Sequence, residues 1–358
     1  MTELKILPIM KPLLPTFEQY APYLRQVDQT RTYSNRGPLV RLLESRYAEK
    51  LGVSDPALVV LCSNATMAIQ GFLQISNVST WHVPSFSFAA TVHAAIQSGK
   101  EVVLDDIDVQ TWMISPDVIK NPKSDGLVTV LPFGAPFYSL PYSHLEHLLI
   151  DAAASIGGAR AWINNLRENW AAVFSLHATK SFGIGEGGLI VFGSEEIAAK
   201  FRSWINFGFR GSRESVALAT NAKLSEIQAA VGLAVIDNWD VEEGEWNNLR
   251  LLTDDANEIF GLGPFKVIPK GTLSPYWIIA HENKEVIARI AQGCLTDKIE
   301  TRQWWSGGCH RMPPFRAIAT RKFSGTDKIG ESYLGLPLSR DMSESDIFRV
   351  KQVFSNCI

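Results

Sequence analysis

Apolar residues along this chain gather in short runs: "LVVLC" at 58–62, "EVVLDD" at 101–106, "LVTVLP" at 127–132, "HLLID" at 147–151 and "WAAVFSL" at 170–176. Runs of this kind, separated by stretches of helical character, predict a mainly parallel β-sheet with helices on both faces. A further run, "GLIVF" at 188–192, follows the last of these with too little chain between them for a crossover helix. That pair is therefore expected to be antiparallel.

Helical signals fill the intervals. "RGPLVRLLESRYAEKLG" reads as a helix with Pro38 in its first turn, Leu39, Leu42, Leu43 and Tyr47 on one side, and Gly52 near its end. A longer stretch starts near Ser225, "SEIQAAVGLAVIDNWDVEEGEWNNLRLLTDDANEIFG", and is expected to link two domains. Beyond about residue 250 come a strand in "PYWIIA" (275–280), a helix in "KEVIARIAQG", a strand in "IETRQWW" and a closing helix near "SESDIFRVKQVF". The pattern predicts a large α/β domain over 1–240 and a smaller α+β domain over 241–358.

Composition narrows the class. The chain has 358 residues, 46% of them hydrophobic, enough for a sizeable core in a soluble globular protein. A formal charge of −3 gives no support to nucleic-acid or anionic-membrane binding, so a small-molecule substrate is expected. Cys62, Cys294, Cys309 and Cys357 are scattered without a CxxC pair, which reads as reduced thiols in a cytoplasmic protein rather than a disulfide framework or zinc site. No run approaches the roughly 20 apolar residues of a membrane span, and no export segment is expected.

Chemistry concentrates in "FSLHATKSFGIGEGGLIVF", 174–192, where one lysine is followed by a cluster of glycines. "GIGEGG" formally matches GxGxxG, but "HATKSF" separates it from the preceding strand and a strand-like run follows, whereas a dinucleotide fingerprint opens a helix. There is no GxxxxGK[ST] either. Lys180 at the edge of a buried strand is suited to lose its proton and attack an aldehyde, although a solvated surface lysine shows the same local pattern. Asp151 closes "HLLID" before "AAAS". It is placed either to hold the protonated nitrogen of a pyridine ring, as pyridoxal 5'-phosphate (PLP) requires, or to cap a helix. In "LCSNATMAIQGFLQ" a strand passes into a helix whose first amides, with the Thr66 hydroxyl, suit a phosphate or simple capping. Ser175 offers a second hydroxyl.

Together these segments resemble the sugar aminotransferases of the DegT/DnrJ/EryC1/StrS family, PLP enzymes of fold type I. The resemblance covers nearly the whole chain. It rests on "NRGPLVRLLESRYAEKLGV", "VPSFSFAATVHAAIQSGKEVVLDDID", the lysine segment, "TNAKLSEIQAAVGL" and "YLGLPLSRDMSESDI". It implies a large domain with a mainly parallel seven-stranded sheet and a smaller C-terminal α+β domain.

Position by position, the resemblance implies that Lys180 bonds the cofactor and moves the proton, and that Asp151 pairs with the ring nitrogen. It also implies that the Ala65 amide, Thr66 and Ser175 hold the phosphate and that Phe88 stacks on the ring, where core packing is the other reading. Asn221 would reach the phosphate from a neighbouring subunit, making a homodimer with a shared active site. Strand alternation puts His177 on the same face as Ser175, as a site contact or a structural hydrogen-bonding residue, and Arg302 and His310 lie in a segment that resembles one bordering the sugar-nucleotide site. Three departures stand out: Ala154 where the family has a glutamine that contacts the cofactor's phenolic oxygen, "NATMAI" for "SGTAAL", and Lys223 for an arginine. The implied activity is a transaminase (EC class 2.6.1) passing nitrogen from L-glutamate to a nucleotide-linked ketosugar. The implied acceptor is dTDP-4-keto-6-deoxyglucose, for an O-antigen or similar glycan, with C3 amination or another nucleotide as rivals. A different PLP chemistry and a non-catalytic sugar-nucleotide binder are the alternatives from other classes.

Overall fold

The computed structural model describes residues 5–259, 266–268, 273–305 and 307–357. Helix α1 (Phe17–Thr30) opens with a capping box between Thr16 and Gln19. The sequence pattern does not announce it, because Pro22 interrupts the helical signal. Helix α2 (Pro38–Leu51) starts on Pro38 and stops at Gly52, whose φ of 72° ends it without a Cβ penalty. Leu39, Leu43 and Tyr47 are buried as expected, but Leu42 is 43% exposed. The buried face centres on Val40, Leu43 and Tyr47, and Leu42 falls about a third of a turn away from it.

The central sheet is built from β1 (Val59–Cys62), β2 (Thr80–Pro84), β3 (Glu101–Asp105), β4 (Asp125–Val130), β5 (Leu148–Asp151), β6 (Trp170–Ser175) and β7 (Gly188–Phe192). Among the described residues it has seven strands in the order β1-β7-β6-β5-β4-β2-β3. Strands β2 to β6 pair in parallel, and β7 runs antiparallel to both β6 and β1, as the short β6–β7 connection predicts. Every position of β1, β5, β6 and β7 is buried, which is why these strands read as unbroken apolar runs. Strand β2 escapes such a reading because "TWHVP" carries a histidine and ends in proline.

Helix layers cover both faces. Leu61, Ile150, Ala172, Phe174 and Leu189 enter one core with α2 and α6 (Glu226–Asp237). The alternate positions Val60, Leu149, Val173 and Ile190 enter the other with α3 (Ala65–Ile75), α4 (Ala89–Gln97) and α5 (Glu195–Trp204). Each fully buried Leu, Ile, Val or Phe contributes roughly 1.5–3 kcal/mol.

The long helical stretch from Ser225 proves to be two helices, α6 and α7 (Trp239–Ile259), broken at Asn238, whose side chain donates back to the Ala234 carbonyl. Phe260 and Gly261, at the end of that stretch, lie outside the described residues. A second sheet of three antiparallel strands has the order β10-β9-β8, with β8 (Lys266–Ile268), β9 (Trp277–Ala280) and β10 (Tyr333–Leu336). Helices α8 (Lys284–Thr296), α9 (Ser324–Gly330) and α10 (Glu344–Cys357) belong to the same part of the chain. The strand expected in "IETRQWW" does not form: Ile299 and Arg302 make single bridges to different partners, Leu7 and Gly335, so no ladder builds up. Among the described residues no helix is long and apolar enough to cross a membrane.

The closest backbone contact of the fold that bears on chemistry is at Gly188. A Cβ there would meet the Asn64 carbonyl carbon at 2.4 Å and the Ala65 nitrogen at 2.8 Å. Gly188→Ala is therefore expected to cost about 1–3 kcal/mol by overpacking and to lower the thermal midpoint. An unchanged midpoint would show that the start of α3 is not held against β7.

Candidate active site

The sheet register brings the expected residues to one edge. Ser175 pairs with Gly188, Gly188 pairs with Cys62, and Asn64 follows Cys62 at the start of α3. Ser175, Ala65 and Thr66 thus flank the same glycine. Asn64 caps α3 by accepting from the Met67 amide at 2.9 Å, leaving the amides of Ala65 and Thr66 with no intrahelical acceptor. Ser175 is itself nearly buried, its hydroxyl accepting from the His177 amide at 3.3 Å.

Asp151 lies at the carboxyl end of β5, one strand over, and is 4% exposed. Its side chain accepts from the Thr91 hydroxyl at 2.7 Å and the Ala153 amide at 3.2 Å. Burial pushes its carboxyl above the ordinary aspartate range, while these two bonds and the charge of Lys180 oppose the shift. Among the described residues no cation pairs with it within 4.0 Å. A buried carboxylate held by two neutral donors fits a protonated pyridine nitrogen, and the free amides of α3 fit a phosphate. Asp151 combines both readings: its carboxylate accepts from the Ala153 amide two residues on, as a cap would, and also reaches across to Thr91 of α4, while the chain after it turns before a short 3-10 helix at Ile156–Ala161.

Lys180 stands in the β6–β7 connection, its Nζ donating to the Tyr276 hydroxyl at 2.6 Å and lying 4.9 Å from the centre of that ring. The loop is fixed on its far side. Phe182 takes a left-handed φ of 58°, stacks on Trp239 at 3.6 Å, and donates its amide to Glu242 at 2.8 Å. Glu242 is buried, which raises its carboxyl against the opposing pull of Arg340, 3.3 Å away.

The remaining candidates fall further out. Phe88 is 61% exposed at the start of α4, so it is not a core residue and its ring is free to cover a ligand. Asn221 is exposed, its backbone bridged to Asn206, on a segment that continues along the β1 edge through the Cys62–Lys223 bridge. His177 lies beyond the end of β6 rather than within its alternation, hydrogen-bonded to Thr179 at 2.9 Å and 3.7 Å from Glu186. His310 is mostly buried, stacked on Phe323 at 4.4 Å, with Nε2 on Asp327 at 3.0 Å. Arg302 is exposed over Trp304. Ala154 is buried, with only a methyl side chain.

Thr91, Tyr276 and Glu242 are absent from the sequence expectations. Thr91 was within reach, since it closes the "SFSFAAT" segment, but Tyr276 and Glu242 meet the lysine loop from distant parts of the chain and leave no local signal.

A half-buried lysine and a buried aspartate at the carboxyl edge of this sheet fit a PLP-dependent transferase of fold type I. The chain belongs to the DegT/DnrJ/EryC1/StrS aminotransferase family, whose model matches residues 17–355. A dTDP-4-amino-4,6-dideoxy-D-glucose transaminase from Shigella dysenteriae is 30% identical over 273 residues, 74% of this chain and 73% of that one. A Bacillus cereus structure described as a PLP-dependent aminotransferase superposes with a TM-score of 0.89 at 25% identity, covering 98% of this chain and all (100%) of the other. The structure of DesI with its TDP-sugar product superposes with a TM-score of 0.84 at 27% identity, covering 99% of this chain and 93% of DesI. The protein is a PLP-dependent aminotransferase.

The raised carboxyl of Asp151 carries a pH signature. A folded-state value above the unfolded one means that the charged form costs stability at neutral pH, and that the cost fades as pH falls into the carboxylate range. Cofactor-free Asp151→Asn is expected to melt no lower than the unsubstituted protein at neutral pH, yet to gain less from added PLP. Thermal midpoints with and without PLP check this, and an equal gain from PLP in both proteins would remove Asp151 from the ring nitrogen.

Proposed function

We propose that this aminotransferase moves the amino group of L-glutamate onto a nucleotide-linked keto-deoxysugar, with dTDP-4-keto-6-deoxyglucose as acceptor, in the synthesis of an O-antigen or related glycan. The observation that carries the chemistry is Lys180 in the β6–β7 loop acting on the buried carboxylate of Asp151. The choice of sugar is supported by the activity named for the Shigella relative and by the TDP-sugar bound to DesI.

Bound PLP supplies an electron sink that lets a C–H bond beside nitrogen break and re-form. Asp151 would keep the ring nitrogen protonated, with Thr91 and the Ala153 amide fixing the carboxylate. The Ala65 amide, Thr66 and Ser175 would hold the phosphate, and Phe88 would cover the ring. Lys180 would carry the proton from one carbon to the other, a task that needs an amine held in place but free to exchange its proton. Asn221 of a second copy would complete the phosphate pocket, which makes the working form a homodimer with a shared site. His177 and His310 would border the sugar, His177 from its half-buried position beside Glu186 and His310 from the short helix after Gly308. With the domain division placed at 240/241, Lys180 and Asp151 lie in the larger unit and Tyr276 in the smaller. A cytoplasmic location is supported by Cys62 and Cys309, buried thiols outside any disulfide.

The test is the visible absorption of the PLP-loaded protein. L-glutamate is expected to bleach the band and dTDP-4-keto-6-deoxyglucose to restore it with release of the amino sugar, while Lys180→Ala slows the exchange by at least about 10²–10⁴-fold. A band that ignores glutamate would overturn the donor, and one restored only by a ketosugar on another nucleotide would overturn dTDP. Full activity in Lys180→Ala would overturn the lysine's role.

A further inference from the structure

The Lys180 amine makes its hydrogen bond with Tyr276, the residue just before β9 of the second sheet. Tyr276 accepts from Nζ at 2.6 Å, and its ring face lies under the same atom at 4.9 Å. The phenol is not a loose surface group. Its ring packs edge-on against Phe133 at 5.7 Å and Trp304 at 5.3 Å, and its amide donates to the Ser274 hydroxyl at 3.2 Å. Ser274 in turn donates to the Phe133 carbonyl. The same wall includes position 154: a Cβ on Gly134 would meet Ser274 Cβ at 2.7 Å and the Ala154 carbonyl oxygen at 3.0 Å. Residues 154 and 274 therefore face each other across one glycine, and Tyr276 leaves that wall two residues further on.

In PLP the aldehyde carbon and the phenolic oxygen occupy neighbouring ring positions. A lysine nitrogen joined to that carbon sits beside the oxygen, so a hydroxyl that meets the nitrogen from the oxygen's side would also reach the oxygen. Ala154 offers only a methyl there. We propose that the Tyr276 hydroxyl is the hydrogen-bond donor to the cofactor's phenolic oxygen, and that the same hydroxyl receives the Lys180 amine whenever the lysine is released. The proposal rests on the placement of Lys180 argued under the proposed function. Tyrosine suits both tasks because its hydroxyl can donate in one state and accept in the other. By drawing on the phenolic oxygen, it weakens that oxygen's hold on the proton shared with the lysine nitrogen. Tyr276 is thus a positioning residue that sets the protonation of the lysine-bound cofactor.

The test is a pH titration of the visible band of the PLP-loaded protein, which reads protonation without turnover. Tyr276→Phe keeps the ring and its contacts with Phe133 and Trp304, and Tyr333→Phe serves as a control. Tyr333 belongs to the same aromatic cluster, and its hydroxyl accepts from the Trp305 amide at 2.9 Å rather than from Lys180. Loss of one charge-assisted hydrogen bond is expected to raise the midpoint in Tyr276→Phe by about one unit, a tenfold change in proton affinity, with Tyr333→Phe unmoved. An unmoved midpoint in Tyr276→Phe, or an equal shift in Tyr333→Phe, would overturn the proposal alone. Failure of the unsubstituted protein to form a visible band would overturn the placement of Lys180 and this inference with it.

Discussion

A carboxylate buried at the end of a strand is the constraint around which this site is arranged. Asp151 is taken out of water by the sheet on either side, and an isolated charge in that position is costly. Two neutral donors, Thr91 and the Ala153 amide, orient the group without neutralising it, and the nearby Lys180 offsets the cost only in part. The protein without its cofactor therefore carries an unsatisfied demand for positive charge. A protonated ring bound there, as proposed, would relieve it, so that part of the cofactor's affinity would be prepared in the fold itself.

That demand is useful only if the lysine is held opposite, and a loop lysine is hard to hold. The β6–β7 connection solves this through its far side. Phe182, in a left-handed conformation that costs about 1–2 kcal/mol, is clamped by the Trp239 ring and by Glu242. Arg340 joins Glu242 and Glu245 to the Leu13 carbonyl, so the N-terminal segment, α7 and the chain after β10 converge behind the lysine. A buried ion pair of this kind adds little net stability, because desolvation offsets the attraction. Its effect here is to fix where the loop lies.

Legibility in the sequence follows the range of the interaction. Strands β4 to β7 and the antiparallel return could be read because burial on both faces leaves continuous apolar runs. Strand β2 could not, because His82 is hydrogen-bonded to Asp105 at 2.5 Å and Pro84 ends the strand. Leu42 was misplaced because a helix face is narrower than the apolar pattern suggests. Lys180, Asp151, Thr66 and Ser175 lie in local motifs and were nameable one at a time. Their convergence depends on strand register, and the contacts from Glu242 and Tyr276 depend on tertiary packing that no window of sequence contains.

The two aromatics of "SFSF" show how packing makes one site from two sheets. Phe86 is fully buried in a cluster with Trp112, Phe133, Trp305 and Tyr333, while Phe88, two residues on, is 61% exposed. The first anchors the segment beside the second sheet, and the second is left exposed at the start of α4, the helix whose Thr91 bonds Asp151. Phe133 does equivalent work on the other side, stacking on Trp305 at 4.3 Å and bracing Tyr276. Because the cluster fixes β9 against the main sheet, a hydroxyl from β9's approach can stand at the lysine with the precision usually reserved for neighbours in the same strand. A methyl at position 154 would be tolerable in such a protein, since the polar partner it fails to provide could be delivered, as proposed, by Tyr276 from the same wall.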